Sequence, residues 1–592
     1  MTDDSAALPP ASHRRRWIGW SITALVVLLL LCIGWVVVRG LNAVTDLQAV
    51  KTSASQLRTD VAAGDLSTAT AEAHSLAKHA DSARGLTSDP IWRAFEIVPW
   101  LGPNLTAVRE AARIADDIAT EGMTPLLAAS EGIDLKRFGL HDGAIDLAPF
   151  TKAQKPLAAA AAAFSRASAD AGRIGTDSLL PPLADAVSEL RSTVDEANGI
   201  VGTLHDAAAL IPSMLGIDGP RTYVIAMLNN AELRSDGGIV GALAVVQADH
   251  GSLSIAGQAS TADFPALADP LPLRASTTAL FGDGPGRYIQ NISSIPDFAE
   301  AAPLLATRWQ DRFGARIDGA VAIDTVVAQH LLRVTGPQQV GPLRLDADNV
   351  LRTLLSDVYR LVPDPRAQDA VFAGVAGRLF TAALHSQDPR ALVTAMADAA
   401  AENRIRLWSA RDDEQRIIAA SALGGALPRD TAEHPHVGVL INDTTGGKMD
   451  YYAKASITVA TGVCHGDPTT RVSVTWTNTA PADAATSLSE YVTGGGHYGV
   501  EPGSIGTRIA VYGPEGATPT NIRRDGVEEK VQTADLDGRI AIQHDFVLAP
   551  GATSTITVDY IGTGTGIRST DIVHTPMASD PKVESVKLSC AS

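Results

Sequence analysis

The stretch YVIAMLNNAELRSDGGIVGALAVV (223–246) is a pair of apolar runs separated by a polar loop. Runs of β-branched and aliphatic residues bounded by asparagine and glycine behave as strands, so Tyr223–Leu228 and Ile239–Val246 are predicted as strands. Between them Asn230, Glu232, Arg234 and Asp236 occupy alternate positions and are followed by Gly237-Gly238. An extended segment would project the four polar side chains from one face. A helical one would make Asn230/Arg234 and Glu232/Asp236 neighbours one turn apart. In both cases the polar groups are expected to converge. The glycines allow a positive φ or leave space for a ligand. The functional reading is a catalytic, anion-binding site with Arg234 on phosphate and Glu232 or Asp236 as base or on a divalent cation. The structural reading is an arginine forked onto nearby carboxylates, with a glycine bulge.

Outward from this stretch, helical segments such as DFAEAAPLLATRW (297–309) alternate with apolar ones such as DGAVAIDT (318–325), which predicts an α/β core over 218–435. Residues 436–592 break into short alternating segments with turns such as GPEGA and DLDG, the pattern of an antiparallel β-sandwich. Residues 39–217 are Ala-rich with apolar residues at helical spacing. Interruptions at VPWLGPN (98–104), 139–150 and LLPPL (179–183) make this a helical stalk or bundle. The fold class expected is thus multidomain α+β.

WIGWSITALVVLLLLCIGWVVV (17–38) is 22 residues without a charge, enough to cross a hydrocarbon core of about 30 Å. It is longer than a signal-peptide core and ends in Arg39-Gly40, so an uncleaved single-pass anchor is expected. His13-Arg14-Arg15-Arg16 precede it, which places residues 1–16 in the cytoplasm and everything after the span outside, a type II topology at the cell membrane.

With 66 acidic against 48 basic residues the net charge is −18, and no basic run follows the N-terminus, so nucleic acid is not expected as a partner. The motifs of phosphate loops, HExxH metalloproteases, nucleophile elbows and EF-hands are absent, and His434-Pro435-His436 has no third ligand in view. Cys464 and Cys590 are candidates for a disulfide closing a long loop, the alternative being two free thiols.

Asp297 in SSIPDF opens a predicted helix after a proline turn, either as a ligand or metal residue or as an N-cap. Asp318 and Asp324 flank a strand, with turn and cap roles expected. Arg274, Arg287, Arg308 and Arg316 are further arginines placed by location only. INDTTGGKMDYY (441–452) is a second polar loop with paired glycines. Asn442, Lys448 and Asp450 there either line a carbohydrate or partner surface or form the turn that joins core to sandwich.

NNAELRSDGGIVG, SSIPDFAEAA, DGAVAIDT, LLRVTGP, DNVL and INDTTGGKMDYY, in this order, resemble the bacterial membrane-anchored family called domain of unknown function 4012, over about 219–455 and more weakly at VPWLGPNLTAVREAA. That family implies architecture and no activity. A shorter similarity, Arg234-Ser235-Asp236 ahead of a strand and IDGAVAIDT before HLLRVTGP, is to LytR-CpsA-Psr type glycopolymer ligases. It implies binding or transfer of a polyprenyl-pyrophosphate-linked glycopolymer in surface-polysaccharide or cell-wall assembly. Arg234 would hold the pyrophosphate; Asn230, Gly237, Gly238, Asp297, Asn442 and Lys448 would line the site; Asp236 and Asp297 would hold Mg²⁺. The alternative is a non-catalytic scaffold or adhesion protein that contacts other envelope proteins.

Overall fold

The computed structural model describes residues 12–63, 66–130, 140–141, 144–431, 435–562 and 570–590. Of the expected cytoplasmic tail only the backbone from residue 12 falls within these, and His434 falls outside. The chain divides into two compact units, Met1–Asp134 with Leu147–Pro212, and Leu135–Asp146 with Ser213–Ser592.

The first unit is helical. Helix α1 (Ser12–Ala63) runs 52 residues and carries the apolar segment, whose Trp17, Trp20 and Leu25–Leu31 are exposed; it is long and apolar enough to cross a membrane. Helix α2 (Leu66–Thr87) returns along α1, and α3 (Pro90–Phe95), α4 (Gly102–Asp117), α5 (Thr124–Ser130), α6 (Ala148–Gly172) and α7 (Pro181–Met214) follow. The buried seams have a seven-residue repeat: Val187, Val194, Val201 and Ala208 on α7, and Ala69, Ala73, Leu76, Ala80 and Ala83 on α2. A strict heptad of small and branched residues lets helices approach closely at a shallow angle, as in coiled-coil bundles.

The second unit contains three main sheets. The first has the order β1 (Leu140–His141), β2 (Ala144–Ile145), β5 (Ser252–Ser260), β4 (Ile239–Asp249), β3 (Arg221–Asn229), β6 (Gly319–Asp324), β9 (Ile405–Ser409). A separate hairpin, β7 (Gln338–Val340) with β8 (Leu343–Leu345), stands beside it. Only β3–β6 is a parallel pair, so the α/β core is a mixed and mainly antiparallel sheet. The helix Phe298–Phe313 covers it, setting Phe298, Leu305 and Trp309 against Val224, Ala226, Leu243 and Ala320.

The other two sheets form the sandwich. One has the order β16 (Gln532–Leu536), β17 (Arg539–Leu548), β13 (Ile505–Tyr512), β10 (His436–Asp443), β19 (Asp571–His574). The other runs β15 (Val527–Glu528), β14 (Thr518–Arg524), β18 (Thr553–Ile561), β12 (Asp467–Asn478), β11 (Ala453–Cys464), β20 (Lys582–Lys587). The pairs β10–β19 and β11–β20 are parallel; the remaining sandwich pairs are antiparallel. Cys464 and Cys590 are disulfide-bonded, with Cα atoms 5.6 Å apart.

The sandwich core of Trp476, Tyr560, Phe546, Val437 and Val439 also contains Leu233, Tyr359 and Met577. Leu233 comes from the opening loop between β3 and β4, is fully buried, and packs into the core of the sandwich. That insertion ties the mixed sheet to the sandwich within one compact unit.

Candidate functional site

Residues 230–238 are turns, neither strand nor helix. Backbone bonds from Glu232 N to Asn229 O (3.2 Å), Gly237 N to Arg234 O (2.8 Å) and Ile239 N to Glu232 O (2.8 Å) coil the segment between β3 and β4. The four alternate polar side chains therefore fan out, which corrects the expected convergence. Only Glu232 and Arg234 stay together.

Each side chain meets a distant part of the chain. The Asn230 amide donates to the Gly237 carbonyl (2.9 Å) and to Asp324 Oδ2 (3.0 Å), while its Oδ1 accepts from Thr325 N (3.1 Å). Asp324 in turn caps the helix Thr325–Thr335 through Val326 N and Val327 N and receives Arg404 Nη1 at 2.7 Å. Asp236 Oδ1 accepts from Arg406 Nε at 2.9 Å, and its side chain is 2% exposed. Glu232 accepts from Arg234 Nη2 at 3.0 Å and is ion-paired with Lys448.

The Arg234 guanidinium points inward at 11% exposure. Besides Glu232 it donates through Nη1 to the Leu233 carbonyl (2.8 Å) and through Nε and Nη2 to Asn291 Oδ1 (3.3 and 3.2 Å). Its fork is thus engaged by internal acceptors, the arrangement in which an arginine braces structure. The four further arginines are held locally and do not join it: Arg274 with Asp297 and Glu300, Arg287 with Asp283, Arg308 on the Pro265 carbonyl, Arg316 near Asp318.

The loop is clamped by INDTTGGKMDYY. Asp443 N donates to Leu233 O (2.9 Å), Asp450 N to Ala231 O (3.0 Å), Leu233 N to Asp450 Oδ2 (2.7 Å), and Ser235 N to Asn442 Oδ1 (3.1 Å). From β19's continuation, Thr575 Oγ1 donates to Ser235 O (3.0 Å) and accepts from Ile441 N (2.9 Å). A buried loop carries backbone donors and acceptors that need partners, and these side chains supply them. Asn442, Lys448 and Asp450 are accordingly buried, which corrects their expected place on a carbohydrate or partner surface.

The two glycines have different jobs. Gly237 takes φ 118°, a region disfavoured for other residues. At Gly238 a Cβ would lie 2.4 Å from the Asn229 carbonyl oxygen, so the space it leaves is filled by the protein's own backbone. That corrects the expectation that the pair leaves room for a ligand.

Burial sets the charge states. It pushes Asp236 up to about 6 against the pull of Arg406. Asp443 is likewise raised to about 6 by burial and by the charge of Glu232. Asp450 is raised well above the ordinary range by burial and by Asp443, and its Oδ1 is buried without a hydrogen-bond partner, as suits a protonated carboxyl. Burial also works against the charge of Glu232, yet Lys448 and Arg234 outweigh it and hold that carboxyl below its usual value. Lys448 is held above its usual range because Glu232 outweighs burial.

The two carboxylates expected to hold Mg²⁺ do not share a site. Asp236 is on Arg406; Asp297 caps the helix Phe298–Phe313 through Ala299 N and binds Arg274 Nη1 at 2.5 Å. Among the described residues no group of three or more His, Cys, Asp or Glu is placed to hold a metal ion. His436 pairs with Asp430 and Asp571. A cleft of about 730 Å³ lined by His330, Arg333, Asp388, Thr394, Asp398 and Glu402, among others, includes no residue of the 229–241 loop.

Sequence reasoning missed Arg404, Arg406, Asp443 and Thr575. Arg404 and Arg406 alternate on and beside β9 with both side chains buried, so Arg-x-Arg within the apolar NRIRLWS was the available signal. Thr575 had none.

Among curated proteins no match was found. A family model matches residues 218–359, which take in NNAELRSDGGIVG, SSIPDFAEAA, DGAVAIDT, LLRVTGP and DNVL but stop short of INDTTGGKMDYY. The shorter similarity to LytR-CpsA-Psr type ligases has no counterpart in these comparisons. Over residues 218–359 the chain is thus similar to the family described as protein of unknown function (DUF4012).

Proposed function

We propose that the protein is a non-catalytic scaffold of the cell envelope, held by one membrane span with its N-terminus in the cytoplasm and its bulk outside. The observation that carries this reading is Arg234, four of whose five guanidinium N–H groups are directed to Glu232, Asn291 and the Leu233 carbonyl, with its side chain 11% exposed. An arginine that must bind an incoming pyrophosphate needs donors free to turn to it. Here the motif fastens the mixed sheet to the sandwich within one compact unit. The basic cluster before the span supports the orientation, as does the Cys464–Cys590 bridge, since disulfides persist outside the reducing cytosol.

The test is direct. The full chain in lipid nanodiscs is incubated with polyprenyl-pyrophosphate glycan and Mg²⁺, beside Arg234→Lys. The expected result is neither transfer nor binding by either protein. Turnover by the wild type that is lost in a folded Arg234→Lys would overturn the scaffold reading in favour of glycopolymer transfer.

A further inference from the structure

The strongest unused feature is an apolar apron at one end of the helical bundle. Ile97 is 83% exposed, Trp100 76% and Leu180 63%, with Pro99, Pro181 and Pro182 also exposed. Large apolar side chains this exposed and this close together mark a contact surface.

The two turns that carry them are built as one piece. The α3–α4 turn is tight, with Gly102 N on Val98 O at 2.7 Å and a Cβ at Gly102 excluded by the Glu96 carbonyl. Buried Asn104 then ties the turns together, donating to Trp100 O (3.2 Å) and accepting from Leu180 N (2.9 Å) at the start of α7.

This end of the bundle lies where α1 leaves its uncharged segment. Arg39, the first charge after that segment, pairs with Asp89 (2.9 Å) and donates to the Gly85 and Leu86 carbonyls at the end of α2. Trp35 Nε1 also reaches Asp89, a Cβ at Gly40 would meet the Trp92 ring of α3 at 3.6 Å, and Trp92 shares a core with Val36 and Ala43. Helices α2 and α6 run back toward this end, and α4 and α7 leave from it.

We infer that Ile97, Trp100 and Leu180 sit in the headgroup–acyl boundary of the leaflet from which α1 emerges, so that the bundle rests on the bilayer as well as being tethered to it. The occupant follows from continuity: Leu101 and Leu183, close in sequence to the apron residues, pack on the core that Trp92 shares with Val36 of the same helix that crosses the membrane. Trp and proline-flanked aliphatic residues suit that boundary, where an amphipathic ring finds both apolar contact and water. The inference rests on the anchored reading proposed above.

The test uses the full chain in lipid nanodiscs, with Cys32→Ser as background and single cysteines at Ile97, Leu180, Thr203 and Leu28 labelled with an environment-sensitive fluorophore. Expected is blue-shifted emission at 97 and 180, quenched several-fold more by shallow doxyl-lipids than by iodide, and the reverse at Thr203, exposed farther along α7. Labels at 97 and 180 quenched by iodide as strongly as the one at 203 would overturn it. Labels shielded from iodide yet untouched by doxyl-lipid would also overturn it and indicate a protein neighbour. If position 28 too escapes lipid quenching, the anchored reading itself fails; if 28 is quenched and 97 and 180 are not, only this inference does.

Discussion

Replacing Lys448 with methionine removes the cation that sits against Glu232 inside a cluster holding Asp443 and Asp450 as well. At a hydrogen-bonded separation of about 3 Å and an effective dielectric of about 20, the Lys448–Glu232 attraction is roughly 5 kcal/mol. Methionine regains part of this, because it avoids the cost of burying an ammonium. Arg234 remains on Glu232 at 3.0 Å. The net cost expected is about 3 kcal/mol at pH 7.5, the lower end of what breaking a buried pair costs. The loss should shrink at pH 5, where Glu232, deprived of its partner, can take a proton. The assay is chemical denaturation of the full chain in detergent, followed by tryptophan fluorescence at both pH values, with Glu232→Gln and the double variant completing a cycle. The double variant should recover most of the loss, since no unpaired charge is left. A cost below about 1 kcal/mol, or one equal at pH 5 and pH 7.5, would refute the buried lock and indicate a solvated site.

Leu233→Ala should destabilise the second unit by about 3 kcal/mol, because a fully buried leucine from the loop of the mixed sheet is lost from the sandwich core, and the same denaturation reads it. Asp236 has a folded-state pKa raised from 3.8 to about 6, so the folded state keeps a proton that the unfolded chain releases between these values. Stability should therefore fall by about 3 kcal/mol from this group as pH rises from about 4 to 6, and Asp236→Asn should remove that slope in a pH series of denaturation curves. Gly238→Ala should lower soluble expression and melting temperature, since its Cβ meets backbone at 2.4 Å. Removing both Cys464 and Cys590 should cost up to about 5 kcal/mol in the chain-entropy picture for a separation of 126 residues. Trypsin should then cut first around Lys582 and Lys587 on the exposed strand β20.

The strands on either side of the opening loop were legible because β-branched runs ending at Asn229 and starting at Ile239 leave little choice of conformation. The helical seams were legible as Ala-rich periodicity, and Asp297 and Asp324 as helix caps. The fate of Asn230, Glu232 and Asp236 was not, since their partners Asp324, Lys448 and Arg406 lie 94, 216 and 170 residues away. Alternation within nine residues constrains direction only if the segment is regular, and this one coils. The α/β reading of the mixed sheet rests on β6 and its following helix, and β6 does pair in parallel with β3, while the antiparallel pairing of β9 on its far side was not legible. Charge content alone does not separate a ligand-binding arginine from a bracing one. That depends on which acceptors the rest of the chain brings to it.

The clamp over the opening loop also imposes an order in time. Thr575 closes onto Ser235 across 340 residues, and Arg404 reaches Asp580 across 176. A chain made from its N-terminal end presents Ser235 long before Thr575. Until then the Ser235 carbonyl lacks its Thr575 partner and the core around Leu233 lacks Met577. The mixed sheet can therefore assemble early only in a provisional form, and its completion waits on the last strands of the sandwich. Chaperones that hold apolar loops would have their longest task at this one segment.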